Sequence, residues 1–178
     1  MNPRATARPM LVAAIVSSIL VACAQPRQCD PIELAPAAAA SLASIEQGGL
    51  SPLAWPASCD GRLRVTQVFA DALPEPGGQV QRLNVVVDRN GERGYVFSQT
   101  AAVLAFTRIP PQTHRVEASA DGVTVSGFAG PAGTGDDIAY LRWRSDDVTY
   151  ELHAALRPWL TEQDIVSLAV ALIESTDR

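Results

Sequence analysis

The sequence predicts an α+β domain, an antiparallel β-sheet of about six or seven strands with a C-terminal helix packed across one face. Three observations point there. From about residue 62, short runs alternate apolar and polar residues. Hairpin turn signals, Asn90-Gly91 and Asp121-Gly122, separate some of these runs. From Thr161 the spacing of apolar residues becomes helical. With 178 residues, 13 Pro and 12 Gly, the chain suits one turn-rich domain plus a tail.

The first element is a leader. Met1 to Pro9 carries Arg4 and Arg8 and no acid, and Met10 to Ala22 is uncharged and apolar or small. A positive segment before a short apolar run is the build of a secretory signal. About 13 residues make roughly 20 Å of helix, too short for a hydrocarbon core of about 30 Å. The run closes in Leu20-Val21-Ala22-Cys23. This box resembles the lipobox of bacterial lipoproteins. The resemblance implies cleavage before Cys23 and acylation of its thiol and new amino terminus. Ala24 follows rather than Asp, so the inner-membrane retention signal of envelopes with two membranes is absent. The implied location is the extracytoplasmic side of the cell envelope, on the outer membrane if there are two.

Two cysteines then remain, Cys29 and Cys59. An even pair in an exported domain invites a disulfide, worth about 3.7 kcal/mol on chain-entropy grounds, with two free thiols as the alternative. Residues 24–37 hold Pro26, Pro31 and Pro36 and read as a spacer. AAAASLASIEQ, Ala37 to Gln47, has high helix propensity and stops at Gly48-Gly49, so it is a short helix or a soft linker. The expected division is 1–22, signal peptide; 23–59, lipidated cysteine, tether and short helix; 60–176, β-rich α+β domain.

The first strand, near RLRVTQVFA, alternates up to Thr66 and slips after it. LPEPGG, Leu73 to Gly78, reads as a loop. QVQRLNVVVD and GYVFSQ pair as a hairpin across Arg89-Asn90-Gly91. His114 to Ser119 meets Val123 to Gly127 across Asp121-Gly122, and FAGPAGTG reads as a further loop. Ala139, Leu141 and Trp143 share one face of the next strand, against Ile138, Tyr140 and Arg142. After a turn at Arg144 to Asp147, Val148, Tyr150 and Leu152 alternate. The final helix has Thr161 and Asp164 as an acidic capping box, and Leu160 and Ile165 as a hydrophobic staple. Ile165, Leu168, Ala169 and Leu172 form its apolar face, widened by Val166, Val170 and Ile173.

Three stretches carry a wider likeness: VTVSGFAG from Val123, LRWRSDDVTYEL from Leu141 and TEQDIVSLAVALIES from Thr161. Their order resembles a family of bacterial extracytoplasmic domains of unknown function, found in lipoproteins and at the carboxy end of membrane-bound sigma-factor or sporulation regulators. The likeness covers about residues 56–175 and is weaker before Val123. Asp146-Asp147 stands where that family commonly has Asp-Gly. The family carries no established catalytic residues, so the resemblance implies none here.

Charge and chemistry narrow the function. Cleavage before Cys23 leaves 12 arginines against 19 acids, a net charge of −7, with no nucleic-acid footprint and no attraction to an anionic membrane surface. All 14 basic residues are arginine, which excludes lysine chemistry. His114 and His153 are the only histidines, and no G-x-S-x-G elbow appears. The glycines of GGLSPL and GPAGTG lack the lysine and strand-to-helix setting of a phosphate loop. Asp136-Asp137 and Asp146-Asp147 lack the alternate spacing of a calcium loop. No catalytic, cofactor or metal residues are therefore expected. Trp143 and Tyr150 read as core or cross-strand partners, and Trp55 and Trp159 as buried beneath proline-containing loops. The expected function is a non-catalytic binding or structural domain in the envelope, membrane-bound through its lipid, with an envelope protein as partner. The alternative is a carrier, similar to the lipoprotein-carrier fold, holding an apolar ligand between sheet and helix.

Overall fold

A computed structural model gives the fold and describes residues 29–104, 109–133 and 135–176. The leader and Cys23 lie outside the described residues. The elements are β1 (Asp30–Pro31), α1 (Pro36–Gln47), β2 (Ala57–Ser58), β3 (Leu63–Glu75), β4 (Gly78–Arg89), β5 (Glu92–Thr100), β6 (His114–Ala120), β7 (Val123–Pro131), β8 (Asp137–Ser145), β9 (Val148–Ala155) and α2 (Glu162–Thr176). Seven strands form one antiparallel sheet in the order β3-β4-β5-β9-β8-β7-β6, with α2 packed on it. It consists of two local meanders, β3 to β5 and β6 to β9, joined where β5 pairs with β9.

Turn chemistry places the hairpins. Asn90-Gly91, Asp121-Gly122 and Asp146-Asp147 all have positive φ at both residues, as a type I′ turn requires. The last turn has no glycine; Asp is one of the few residues that enters this region readily, and Arg144 Nη2 reaches Asp147 Oδ1 at 3.3 Å. The slip after Thr66 is a bulge, with the β3–β4 register shifting between Val65 and Gln67.

Two loop readings are corrected. Leu73 to Gly78 is mostly strand, since β3 runs to Glu75, β4 starts at Gly78, and only Pro76-Gly77 turns. Pro74 is tolerated because β3 is an edge strand, where a missing N–H leaves no ladder bond unmade. Likewise β7 continues through Phe128 to Pro131, paired with Asp137 to Tyr140 of β8.

Residues 29–59 do more than tether. A disulfide joins Cys29 to Cys59, with Cα atoms 4.8 Å apart. Leu34 bridges Val65 in parallel. The short helix forms as α1, with Pro36 at its first position and Gly49 left-handed beyond its end. Ala38 is buried, and Leu42 and Ile45 pack against the core.

One face of the sheet is the core face. Val85, Phe97, Leu152 and Leu141 lie in register across four strands, all fully buried. Trp143 and Tyr150 face each other across β8 and β9 with ring centroids 5.5 Å apart, and Phe97 stacks on Tyr150 at 6.0 Å. Gly127 sits opposite Leu141, where a Cβ would lie 2.9 Å from the Leu141 Cα. That close approach admits no side chain.

Both helices cover this face. α1 lies on β3, and α2 lies on β6 to β9. Ile165, Ala169 and Ile173, spaced by four, are 0% exposed, and Leu172 is buried beside them. Leu168 lies at the flank of the stripe, partly buried. Thr161 and Asp164 cap the helix reciprocally: Asp164 N–H donates to Thr161 Oγ1, and Thr161 N–H to Asp164 Oδ2. The loop after α1 also packs on this face. Buried Gln99 holds it, accepting from the N–H groups of Leu53 (2.7 Å) and Ala54 (3.2 Å) and donating to the Ala54 carbonyl (3.1 Å).

Candidate functional site

The opposite face of the sheet gathers the polar groups. Strand pairing sets Asn84, Ser98, Glu151, Arg142 and Ser126 in one row across five strands. Alternation sends each of these away from the core. Yet Glu151 is only 4% exposed, and Asn84, Ser98 and Thr149 are buried as well.

Glu151 is the centre. Its Oε1 accepts from Arg142 Nε at 3.0 Å and Nη2 at 2.6 Å, and from the Tyr140 hydroxyl. Arg82 Nη1 lies 3.6 Å from Oε2. Arg82 in turn donates to Asp71 from Nε at 3.0 Å, and Asn84 Nδ2 donates to the same carboxylate at 2.8 Å. Ser98 Oγ closes the chain on Asn84 Oδ1 at 2.7 Å. The Arg82 guanidinium holds the Asp71 carboxyl below its ordinary range, against the effect of burial. Burial, then the hydrogen bond to Glu151, pushes the Tyr140 phenol up to about 12.

Aromatic groups flank this row. Phe128 stacks on Tyr140 at 5.5 Å, and His153 meets Tyr140 edge-on at 5.7 Å. Desolvation lowers the His153 pKa, with Glu151 opposing the shift. The connection between β5 and β6 approaches this face at both described ends. Thr149 Oγ1 donates to the Ala102 carbonyl at 2.7 Å, and the Thr113 backbone lies over Gly130.

The other singled-out residues stand apart from that network. His114 Nε2 pairs with Glu162 Oε2 at 2.9 Å, tying β6 to the first turn of α2 in an exposed position. The neighbouring Thr113 hydroxyl donates to the Pro110 carbonyl at 2.7 Å. Asp136 bonds Arg157 at 2.9 Å, which lowers the Asp136 pKa. Trp55 donates to the Ile32 carbonyl at 3.1 Å, partly buried. Trp159 donates to Glu92 at 2.8 Å, with the Arg89 guanidinium 5.0 Å from its ring centroid. Gly94 makes room for that ring, since a Cβ there would meet it at 3.0 Å. Among the described residues no group of three or more His, Cys, Asp or Glu side chains is placed to hold a metal ion. Of four open clefts, of about 350–450 Å³ each, one reaches α2, at its first residue Glu162, and none is lined by the buried stripe of Ile165, Ala169, Leu172 and Ile173.

The Glu151 network was missed from sequence. Alternation places Arg142 on the face of its strand opposite Trp143, and nothing in that pattern tells a solvated outward face from a covered one. One signal pointed to the second: opposite charges recur at outward positions of neighbouring strands. No family model matches the chain, and no curated protein or solved structure shows significant similarity to it. The likeness of residues 56–175 to extracytoplasmic domains therefore rests on the residues quoted for it alone.

Proposed function

We propose that this chain is a lipid-anchored extracytoplasmic protein whose body is a non-catalytic binding or structural domain of the cell envelope. The disulfide carries the reading. Such bonds persist in oxidising compartments, and this one fastens the body six residues after the Cys23 of the Leu-Val-Ala-Cys box. Six residues span at most about 20 Å. An anchor at Cys23 would thus hold the Cys29–Cys59 end of the domain against the membrane surface. If the envelope has two membranes, Ala24 favours the outer one.

Binding rather than catalysis is supported by where the polar groups go. Glu151, Arg142, Arg82 and Asp71 are engaged with one another. The expected partner is another envelope component. A carrier function would need apolar space beneath α2, and the closed stripe of Ile165, Ala169 and Ile173 speaks against it. The test is metabolic labelling with palmitate in a bacterial host. The natural chain should take up label and fractionate with membranes, and Cys23→Ser should do neither. Label in the Cys23→Ser chain, or none in the natural one, would overturn the anchor.

A further inference from the structure

The two edges of the sheet are unlike. β6 is seven residues long and carries exposed Arg115 and Glu117, the kind of charge that discourages strand addition. β3 is 13 residues long and has one charge between Val65 and Pro74, Asp71, which is already held by Arg82 and Asn84. Phe69 on this edge is 44% exposed.

The direction of the free backbone groups follows from Val65. Its side chain faces the core, and its N–H and C=O point outward, to the Glu33 carbonyl at 2.9 Å and the Ala35 N–H at 2.8 Å. Beyond the bulge, Val68, Ala70 and Ala72 face the core side and turn their backbone groups outward by the same period. The two-residue turn at Pro76-Gly77 requires this phase too, because its closing pair Glu75 and Gly78 is hydrogen-bonded inward. Residues 33–35 cover the edge at Val65 and then leave it for α1. Pro74, with no N–H to offer, limits it at the other end. Between them, no outward backbone hydrogen bond is made among the described residues.

We propose that this open lane pairs antiparallel with the same lane of a second copy, joining two seven-stranded sheets into one across a two-fold axis at Phe69. The sequence of the lane selects the register. Outward groups must meet outward groups, so Val68 bonds Ala70 of the second copy and Ala70 bonds Val68 of that copy. Phe69 then faces its own counterpart as a non-hydrogen-bonded pair, where side chains approach most closely. Gln67 faces Asp71 of the second copy, an amide donor against a carboxylate. The next permitted register, centred on Ala70, would set Phe69 against Asp71 and is disfavoured. α1 leaves room for the approach. A cleft of about 370 Å³ between Ala37, Ser41 and residues 66–69 borders the lane, and α1 carries no charge before Glu46.

The test is cross-linking in the full chain. Residues facing at a non-hydrogen-bonded position have Cα atoms about 4.5 Å apart, within disulfide range. Under mild oxidation Phe69→Cys should give a reducible band of twice the chain mass, and Ser119→Cys on the β6 edge should not. Adding Ala70→Pro to Phe69→Cys should remove the band, because it blocks only the outward side. In the unaltered chain, the Val68 and Ala70 amides should exchange more slowly as concentration rises. This second readout does not depend on a variant folding, and neither depends on the lipid. A monomeric Phe69→Cys chain, equal cross-linking of Ser119→Cys, a band that survives Ala70→Pro, or fast exchange of both amides at every concentration would overturn the proposal.

Discussion

Truncating Glu151 should be among the costliest single changes in this domain. The residue is 4% exposed, and its carboxylate accepts two hydrogen bonds from Arg142 and one from Tyr140, with Arg82 3.6 Å away. Glu151→Ala leaves the Arg142 guanidinium, whose side chain is 13% exposed, without its main counter-ion. Breaking a buried ion pair from one side costs about 3–5 kcal/mol. Arg82 is better solvated and keeps Asp71, so the lower end of that range, about 3 kcal/mol, is expected. At a urea dependence of about 1–3 kcal/mol per molar, the unfolding midpoint should fall by roughly 1–3 M. Replacing Glu151 and Arg142 together with leucine should recover much of the loss, since a buried pair is often matched by apolar packing. The assay is equilibrium urea unfolding followed by tryptophan fluorescence. A loss below about 0.5 kcal/mol for Glu151→Ala, within ordinary surface variation, would refute the view that this network braces the polar face.

Three further outcomes are expected. Leu172→Ala should cost about 2–5 kcal/mol, whereas Val166→Thr, at the edge of the stripe, should stay within about 0.5 kcal/mol; the same unfolding assay checks both. Reduction of Cys29–Cys59, or Cys29→Ser, should lower stability by up to about 3.7 kcal/mol, and calorimetry with and without reductant reads it. The Asp60 carboxyl is lowered to about 2 by hydrogen bonds from the Arg62 side chain and backbone, and Asp71 is lowered by Arg82. A carboxylate depressed in the folded state stabilises fully above its unfolded value near 3.8 and loses that contribution as pH falls toward 2. Thermal melts should therefore drop between about pH 4 and pH 2, and Asp60→Asn should flatten part of the decline.

What could be read from the sequence was local. Asn90-Gly91 and Asp121-Gly122 announced hairpins because few residue pairs adopt two consecutive left-handed conformations. The Thr161 cap and the apolar stripe after it announced α2, although the stripe turns further toward Ile173 than Leu168 suggested. Cysteine parity pointed to the Cys29–Cys59 bond. The remainder depended on distant neighbours. Nothing in β5 or β9 alone says that Phe97 pairs with Leu152. Pro74 reads as a breaker until its position on an open edge is known. Gln99 reads as an ordinary strand residue until the backbone of Leu53 and Ala54 arrives to be bound. Burial of Glu151 likewise depends on side chains from two other strands, β4 and β8.

The joining of two meanders through β5 and β9 bears on how fast the domain assembles. Each meander can zip from its own turns, with contacts only a few residues apart at the start, and such hairpins form in about 1–10 μs. The central pairing is different. Phe97 and Leu152 are roughly 55 positions apart, and closing a loop of that size costs about 3.5 kcal/mol of chain entropy before any reward. Sheets dominated by such distant pairings fold in milliseconds to seconds. β9 is also the last of the seven strands, so the sheet cannot close until Val148–Ala155 has emerged. Were the chain exported from its amino terminus, as the proposed function has it, the sheet would stay open until β9 had followed, a state that a translocation channel accepts.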